Sequence, residues 1–432
     1  MHTLRFEVLS IAALACGFLT LQAAADSQVR IVRLSDVQGG VQIDRNSGLG
    51  FERAFMNLPI TQGTQVHTLQ NGRAEIEFED GSTLRLAPDT SVSFGKLSAS
   101  DEGKRASEVT LVRGRAYVGW LGRNGDDFIL SFASEKVDLT HAAHFRVENS
   151  SAIAELANFK SPVEVVGSWG TVKVEKNRTA SFGESGGQPT IAKDVKKDPY
   201  DEWDSQSAEY HQEYSKHNNT PYGYGFSDLS YYGSYSNVPG FGMLWQPFFI
   251  SAEWNPFMDG AWAFYPGMGY MWASAYPWGW LPYYYGNWMY APGYGWGWQP
   301  GAWNNWRGGL HYVGAMAANF HAPVAPTGTR NTVIVGLGGA VAARPGTSTM
   351  LLTSGSAGFG IPRGAYDNMR HLNRLVGRNR SVELRSQPQF AATSMGMGGF
   401  NSGPVRRASV GPARSGYAAP AGAHSAAGHA GR

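Results

Sequence analysis

Three carboxylates, Glu75, Glu77 and Glu79, project from one side of the run Arg73-Ala74-Glu75-Ile76-Glu77-Phe78-Glu79. Neighbouring carboxylates can serve as general acid and base when their surroundings push their pKa values apart. Here they alternate with apolar residues on a strand, and the alternation reads as a solvated face. His141 and His144 are three apart, but that stretch reads as a turn entering a strand, so they need not share a face and read as structural. His424 and His429 lie in a Gly/Ala-rich end and form no metal site. The sequence has no glycine-rich phosphate loop, no G-x-S-x-G elbow and no H-E-x-x-H helix. The single cysteine, Cys16, lies in an apolar leader, which leaves the remainder without thiol chemistry, cysteine metal ligands or disulfides. The chain therefore reads as non-enzymatic, with no cofactor and no metal.

What remains to do chemistry is aromatic. The chain has 14 Trp, 20 Tyr and 21 Phe, while only 16% of residues are charged, against roughly 25% in an ordinary soluble domain. Eleven of the 14 Trp fall in residues 223–306, where the only charges are Asp228, Glu253 and Asp259. The pattern G-x-[YW]-x-x-x-P-G-x-G-x-x-W occurs there three times, from Gly233 to Trp245, Gly260 to Trp272 and Gly286 to Trp298, at periods of 27 and 26 residues. Trp254-Asn-Pro256-Phe257 and Trp280-Leu-Pro282-Tyr283 match between copies. Pro-Gly-x-Gly is turn chemistry and the flanking aromatics suit strands, so each copy reads as a hairpin too small to be stable alone. Stacked copies could bury a common aromatic face. The rings read first as the core of a segment poor in Leu, Ile and Val. As an exposed face, Trp245, Trp254, Trp262, Trp272, Trp280, Trp288 and Trp298 would instead anchor a protein partner or stack on a glycan such as peptidoglycan. Nucleic acid is disfavoured, because the segment has no Lys or Arg to meet phosphates.

The elements that must position these groups are short strands. Ala74, Ile76 and Phe78 share one face of an alternating run, Asp80-Gly81 marks a tight turn, and Thr83-Leu84-Arg85-Leu86 resumes the pattern. Similar runs recur at Val109–Val112, Ala116–Val118, Phe128–Phe132, Val137–Leu139, His144–Val147, Val163–Val166 and Thr171–Val174, punctuated by Gly, Asn or Pro. Many short strands at even spacing predict an all-β sandwich, barrel or solenoid.

The stretch Gly63-Thr64-Gln65-Val66-His67-Thr68, followed by Asn71-Gly72 and the run from Arg73 to Thr90, resembles the FecR-type periplasmic domain. So do Leu111 to Val118, Phe128-Ile129-Leu130 and His144-Phe145-Arg146-Val147, with His144 where the family usually has Gly. The resemblance covers about 155 residues and implies a β-rich, non-catalytic domain that acts by protein contact in the cell envelope. The best-known members relay a signal from an outer-membrane receptor to a sigma factor, and carry a cytoplasmic anti-sigma segment before one membrane span. Only a few residues precede the apolar leader here, so the expectation is that the fold is kept without that segment. FecR-containing proteins with a Trp/Tyr/Gly/Pro-rich second half are similar in arrangement, and they imply no activity.

The chain divides by composition. Residues 1–25 read as a secretory signal: Arg5, the apolar run Val8–Leu21, and Ala23-Ala24-Ala25 as a cleavage site. Residues 26–185 are the FecR-like β domain. Residues 186–222 are a polar linker with a short helix, in which Trp203, Tyr210 and Tyr214 share one face. Residues 223–313 are the aromatic repeat module. Residues 314–432 are an Ala/Gly/Arg-rich tail, expected to be largely disordered, with a helix near Ala365–Val376 and a strand near Thr332–Leu337. From residue 307 onward there are 13 Arg and two acids, so the net charge of +2 is a cancellation between a basic end and an acidic-leaning body. Spread Arg of this kind suits weak contact with anionic surfaces. No segment after the leader runs the roughly 20 apolar residues of a bilayer span. The expected protein is mainly β, exported, periplasmic or outer-envelope associated, and works by protein–protein contact or scaffolding. Glycan or peptidoglycan binding by the repeat and regulation in FecR-type surface signalling are the alternatives.

Overall fold

The computed structural model describes residues 30–336 and 349–385, apart from 101, 124, 152, 153, 184–186, 304, 305 and 329. The apolar leader 1–25 and the end of the tail, 386–432, lie outside the described residues. The fold is mainly β, as the alternation requires.

The first part is a pair of sheets sharing one long strand, Arg105–Trp120. One sheet runs through Val32–Gln38, Arg73–Glu77, Thr83–Leu86, the second half of the long strand, Ala143–Asn149, Ala154–Asn158, Arg178–Phe182 and Thr190–Ala192. The other runs through Glu52–Arg53, Val41–Asp44, Gln65–Thr68, Ser91–Ala99, the first half of the long strand, Asp127–Phe132, Glu135–Leu139, Val163–Gly167 and Gly170–Val174. The apolar sides enclose a common core that includes Val32, Leu34, Ile43, Val66, Ile76, Leu84, Leu111, Phe145 and Leu156. Sequence punctuation at Arg113-Gly114 predicts two strands. The structure has one, passing between sheets at Gly114, whose φ is +93° and whose missing Cβ would stand 2.5 Å from Thr90 Cα. The strand expected from His144 is present, with His144 paired opposite Gly119.

Helix α1, Asp201–Tyr214, follows, with Asp201, Glu202 and Asp204 in its first turn, where the helix dipole favours anions. Helix α2, Phe226–Tyr232, is buried at every residue except Ser230. Three hairpins come next: Gly233–Val238 with Gly242–Pro247, Gly260–Tyr265 with Gly269–Ser274, and Asn287–Ala291 with Gly295–Gln299. Each turns on Pro-Gly-x-Gly with both glycines at positive φ, for example +78° and +77° at Gly267 and Gly269. Each sets aromatics across from one another: Tyr235 opposite Trp245, Trp262 opposite Trp272 and Trp288 opposite Trp298. The hairpins do not form one stack. The first and third join in a sheet through Trp245 and Trp298, and the second pairs with Val333–Val335. A short helix α3, Leu281–Tyr284, lies between the second and third.

Within the segment from residue 314 onward, the described residues 349–385 form short regular elements that the composition does not announce. Helix α4, Met369–Asn379, is capped by the Asn368 side chain, which accepts from His371 N at 2.9 Å. It packs beside the hairpin Thr349–Thr353 with Ser381–Arg385. Leu352, Ala357, Phe359, Ile361, Met369 and Val376 enter the same core as the sheets and hairpins. A few apolar residues at well-placed positions anchor a Gly-rich stretch that has no periodic pattern. The described part of this tail is thus a set of short elements closing the core, while the remainder of the segment expected to be disordered, 337–348 and 386–432, lies outside the described residues.

Candidate functional site

Strand Arg73–Glu77 turns Ala74 and Ile76 toward the sandwich core, and Glu75 and Glu77 outward. The outward side is not solvated, which corrects the reading of the acid row as a solvated face. Helices α1 and α2 and the loop carrying Arg363 cover it. Glu75 and Glu77 are each 1% exposed, and Glu79 is 6% exposed. A buried charge is tolerated only when paired and hydrogen-bonded, and each of these is. Arg30 Nε meets Glu79 at 2.6 Å, and Arg33 Nη1 meets Glu77 at 3.1 Å. Glu75 lies 2.7 Å from Arg85 Nε and 2.8 Å from Arg363 Nη1.

The network continues into both helices. Arg85 reaches Asp204 of α1 at 2.8 Å, and Asp204 also lies 2.7 Å from His144 Nε2. Arg33 and Arg363 both reach Asp228 of α2, at 2.6 and 2.7 Å. Burial alone would raise the Glu75 carboxyl, but His211, Arg85 and Arg363 hold it well below the usual value. Asp204 and Asp228 are likewise held low against their burial, by His144 and Arg85 and by Arg363 and Arg33. Glu77 goes the other way: burial outweighs His211 and Arg33 and pushes its carboxyl up.

His211 Nε2 lies 2.9 Å from Glu75 Oε1, and its Nδ1 lies 3.0 Å from Ser227 Oγ. Serine, imidazole and carboxylate in a row are the elements of a nucleophilic triad. Ser227, however, is 0% exposed, so no substrate carbonyl can reach its oxygen. The row fastens α1 to α2 and to the strand beneath. No sequence pattern announces it, because its members are 16 and 136 residues from His211. His141 and His144 do not act together: His141 lies 3.3 Å from the Pro162 carbonyl while His144 turns to Asp204. Among the described residues no group of His, Cys, Asp and Glu could hold a metal ion.

Two clefts flank α1. One, of about 950 Å³, is lined by Asp36, Arg73, Trp203, Tyr210, Arg363 and Asp367 among others. The other, of about 600 Å³, is lined by Glu77, Arg85, Trp120, His144, Lys160 and others. His211 borders both. The aromatic residues of α1 are held from within: Tyr210 OH donates to Asp228 at 2.8 Å, and Trp203 stands edge-on to Tyr117 with Arg73 over its ring.

The seven tryptophans read as a candidate binding face are core. Trp245, Trp272, Trp280, Trp288 and Trp298 are 0% exposed, Trp254 3% and Trp262 4%. Trp245 and Trp298 donate to the carbonyls of Leu229 and Tyr285, and Trp254 to Tyr276 OH. Their neighbours are other aromatic rings, with centroids 4.9 Å apart for Trp245–Trp278, 6.5 Å for Trp245–Trp288 and 4.4 Å for Trp280–Tyr284. A ring can stack on a sugar or seat in a partner only with a free face, and these have none. The aromatic binding face, for glycan or protein, is therefore corrected to a structural core.

The two halves are also joined. Arg33 Nη2 donates to the Pro277 carbonyl at 2.7 Å, Asn57 Nδ2 to the Ser274 and Tyr276 carbonyls, and Tyr265 OH to the Pro59 carbonyl at 2.6 Å. Gly225 N donates to Glu77 Oε2 at 3.0 Å. No described helix is long and apolar enough to cross a membrane.

No curated protein matches the chain. Two crystal structures of a candidate anti-sigma factor from Parabacteroides distasonis, at 1.65 and 2.50 Å, share 15% identity with it, with TM-scores of 0.26 and 0.27. Each match covers 30% of this chain and 59% of that one. Family models match two separate stretches, one within the sandwich and one spanning the three hairpins. The chain carries a FecR protein domain at residues 64–164, and at residues 226–326 a region belonging to a family of unknown function, DUF6600.

Proposed function

We propose that this is a non-enzymatic, exported envelope protein that works by protein–protein contact, with the FecR domain and the hairpin region acting as one unit. The observation that carries the reading is the sealing of its reactive groups. Ser227 and Glu75 are buried, His211 at the rim of both clefts is held between them through both ring nitrogens, and the buried acids beside them are matched by Arg. What stays open to solvent is a polar helical ridge, α1, with a cleft on either side. A ridge between two clefts suits a protein segment better than a small substrate.

The test places a photo-crosslinking amino acid at Gln206 beside one cleft, at Ala208 beside the other, and at Lys173 on a strand away from both. The protein is then irradiated in the envelope of its own cell. A discrete adduct from the two α1 positions and none from Lys173 is the expected result; equal capture from all three, or none from any, would sink the reading. Export is checked in the same cells by fractionation and by a mature N-terminus at Asp26.

Regulation in FecR-type surface signalling is a second reading, supported by the match of residues 64–164 to the FecR protein family. It requires the α1 adduct to be a receptor or a sigma-factor regulator, and mass spectrometry of the adduct separates the two.

A further inference from the structure

Helix α4 carries Arg370, Arg374 and Arg378 at four-residue intervals, with His371 beside them. At 100° per residue these four fall within an arc of about 100° of the helix. Met369 and Val376, which are buried, lie on the opposite side, and Asn373, whose Oδ1 accepts from Phe249 N at 2.7 Å, lies between the two faces. The helix is thus held by one face and presents Arg370, Arg374 and Arg378 outward on another. All three arginines are exposed, and among the described residues none of them has an ion pair. Arg380, at the helix end with φ +63°, is exposed as well. The nearest acids in sequence, Asp367 and Glu383, flank the helix. Elsewhere in the fold Arg30, Arg33, Arg85, Arg115, Arg146 and Arg363 are all paired with carboxylates. Among the described residues Arg113, Arg178 and Arg330 also lack a carboxylate partner, but among the described helices only α4 sets three such arginines along one face.

We propose that this stripe is a peripheral docking surface for an anionic phospholipid bilayer. Three guanidiniums along about 12 Å of helix, at 1.5 Å rise per residue, match a surface that offers phosphates repeatedly in one plane. The three arginines are exposed and line neither of the two clefts beside α1, so the stripe faces outward rather than into either of them. Gly377, on the same side, has no heavy atom within 4 Å of where a Cβ would stand, which lets a flat surface approach the backbone. The apolar face of α4 is already in the core, so contact is electrostatic and does not involve insertion. The inference does not depend on the protein-contact reading.

The test is co-sedimentation of the full chain with vesicles of phosphatidylcholine alone and of phosphatidylcholine with 30% phosphatidylglycerol. Each juxtamembrane Arg is worth roughly fivefold in partitioning, so Arg370→Gln, Arg374→Gln and Arg378→Gln together should cost on the order of a hundredfold. Gln keeps helix propensity, and an unchanged melting temperature shows that the fold is intact. A control chain with Lys173→Gln and Lys176→Gln should bind as the parent does, and binding should weaken with salt. The proposal is overturned by equal binding to both vesicle types, by equal binding of the triple variant, or by binding to soluble polyphosphate without binding to vesicles.

Discussion

The ring of Trp272 lies over the backbone of Gly260: a Cβ on Gly260 would stand 2.4 Å from Trp272 Cζ2 and 2.7 Å from the Ala273 carbonyl oxygen. Gly233 meets Trp245 in the same way at 2.3 Å, and Gly286 would place its Cβ 2.8 Å from Trp298 Nε1. The first and last residues of the repeat pattern are therefore two halves of one contact. The antiparallel register brings the last residue beside the first, and the glycine leaves room for the indole.

Gly260→Ala should therefore destabilise by about 1–3 kcal/mol, the usual range for overpacking. Trp272→Phe will also destabilise, but the double variant should lose less than the sum, because the smaller ring relieves the overlap. Thermal melting of the three variants measures the coupling. Strict additivity would mean that the ring and the glycine do not touch in solution.

The burial of the repeat tryptophans sets their spectroscopy. Iodide should leave most of the tryptophan emission unquenched, with a small accessible part from the half-buried Trp169, Trp203, Trp303 and Trp306. Isolated peptidoglycan should retain none of the protein. Quenching of the bulk of the signal, or retention on peptidoglycan, would restore an exposed aromatic face.

Arg33 ties the two regions through Asp228 at 2.6 Å and Glu77 at 3.1 Å, and both side chains of the Arg33–Asp228 pair are 0% exposed. Removing one partner of a buried pair leaves a charge uncompensated, at about 3–5 kcal/mol. Arg33→Met should cost that much and split a single calorimetric transition into two, as the sandwich and the hairpins lose their shared charges. Arg33→Met with Asp228→Asn should recover part of the loss. A single unshifted transition in Arg33→Met would show that the seam contributes nothing.

The strands and turns of the sandwich are legible in the sequence because alternation reports which side chains share a face. It does not report what covers the other face. Glu75 and Glu77 alternate with Ala74 and Ile76 as they would on a solvated strand, yet Arg363, which pairs with Glu75, stands 288 residues away. The Gly-to-Trp spacing of the repeat is equally visible. Whether the rings face water depends on α3, on Ala357, whose carbonyl accepts from Trp278 Nε1 at 2.7 Å, and on the strand at residue 333, none of which the motif encodes. Helix α4 is legible from the spacing of Met369, Leu372 and Leu375. The order between residues 349 and 368 is not, because single residues such as Phe359 and Ile361 dock into a distant core without any periodicity.

Acid should unfold the protein in two stages. Burial and the nearby Arg307 push the His311 imidazole down to about 4 from the ordinary 6.5. The unfolded chain therefore takes up that proton first, and stability is lost as pH falls from about 6.5 toward 4. Glu75, Asp204 and Asp228 are held below their ordinary values. Their contribution is complete above the unfolded carboxylate range of about 4 and is lost only as pH falls through the lowered values. Glu77 and Asp36 are pushed up by burial and act in the opposite sense, their ionisation costing stability as pH rises through the raised values. Subtracting a variant isolates the first stage. His311→Gln keeps the backbone carbonyl that accepts from Trp288 N at 2.9 Å but removes the titrating ring. Denaturant midpoints of parent and variant should converge as pH is lowered from 7 to 4.5, and both should then fall together below 4. A parent–variant difference that stays constant from pH 7 to 4.5 would place His311 in a solvated setting and remove the first stage.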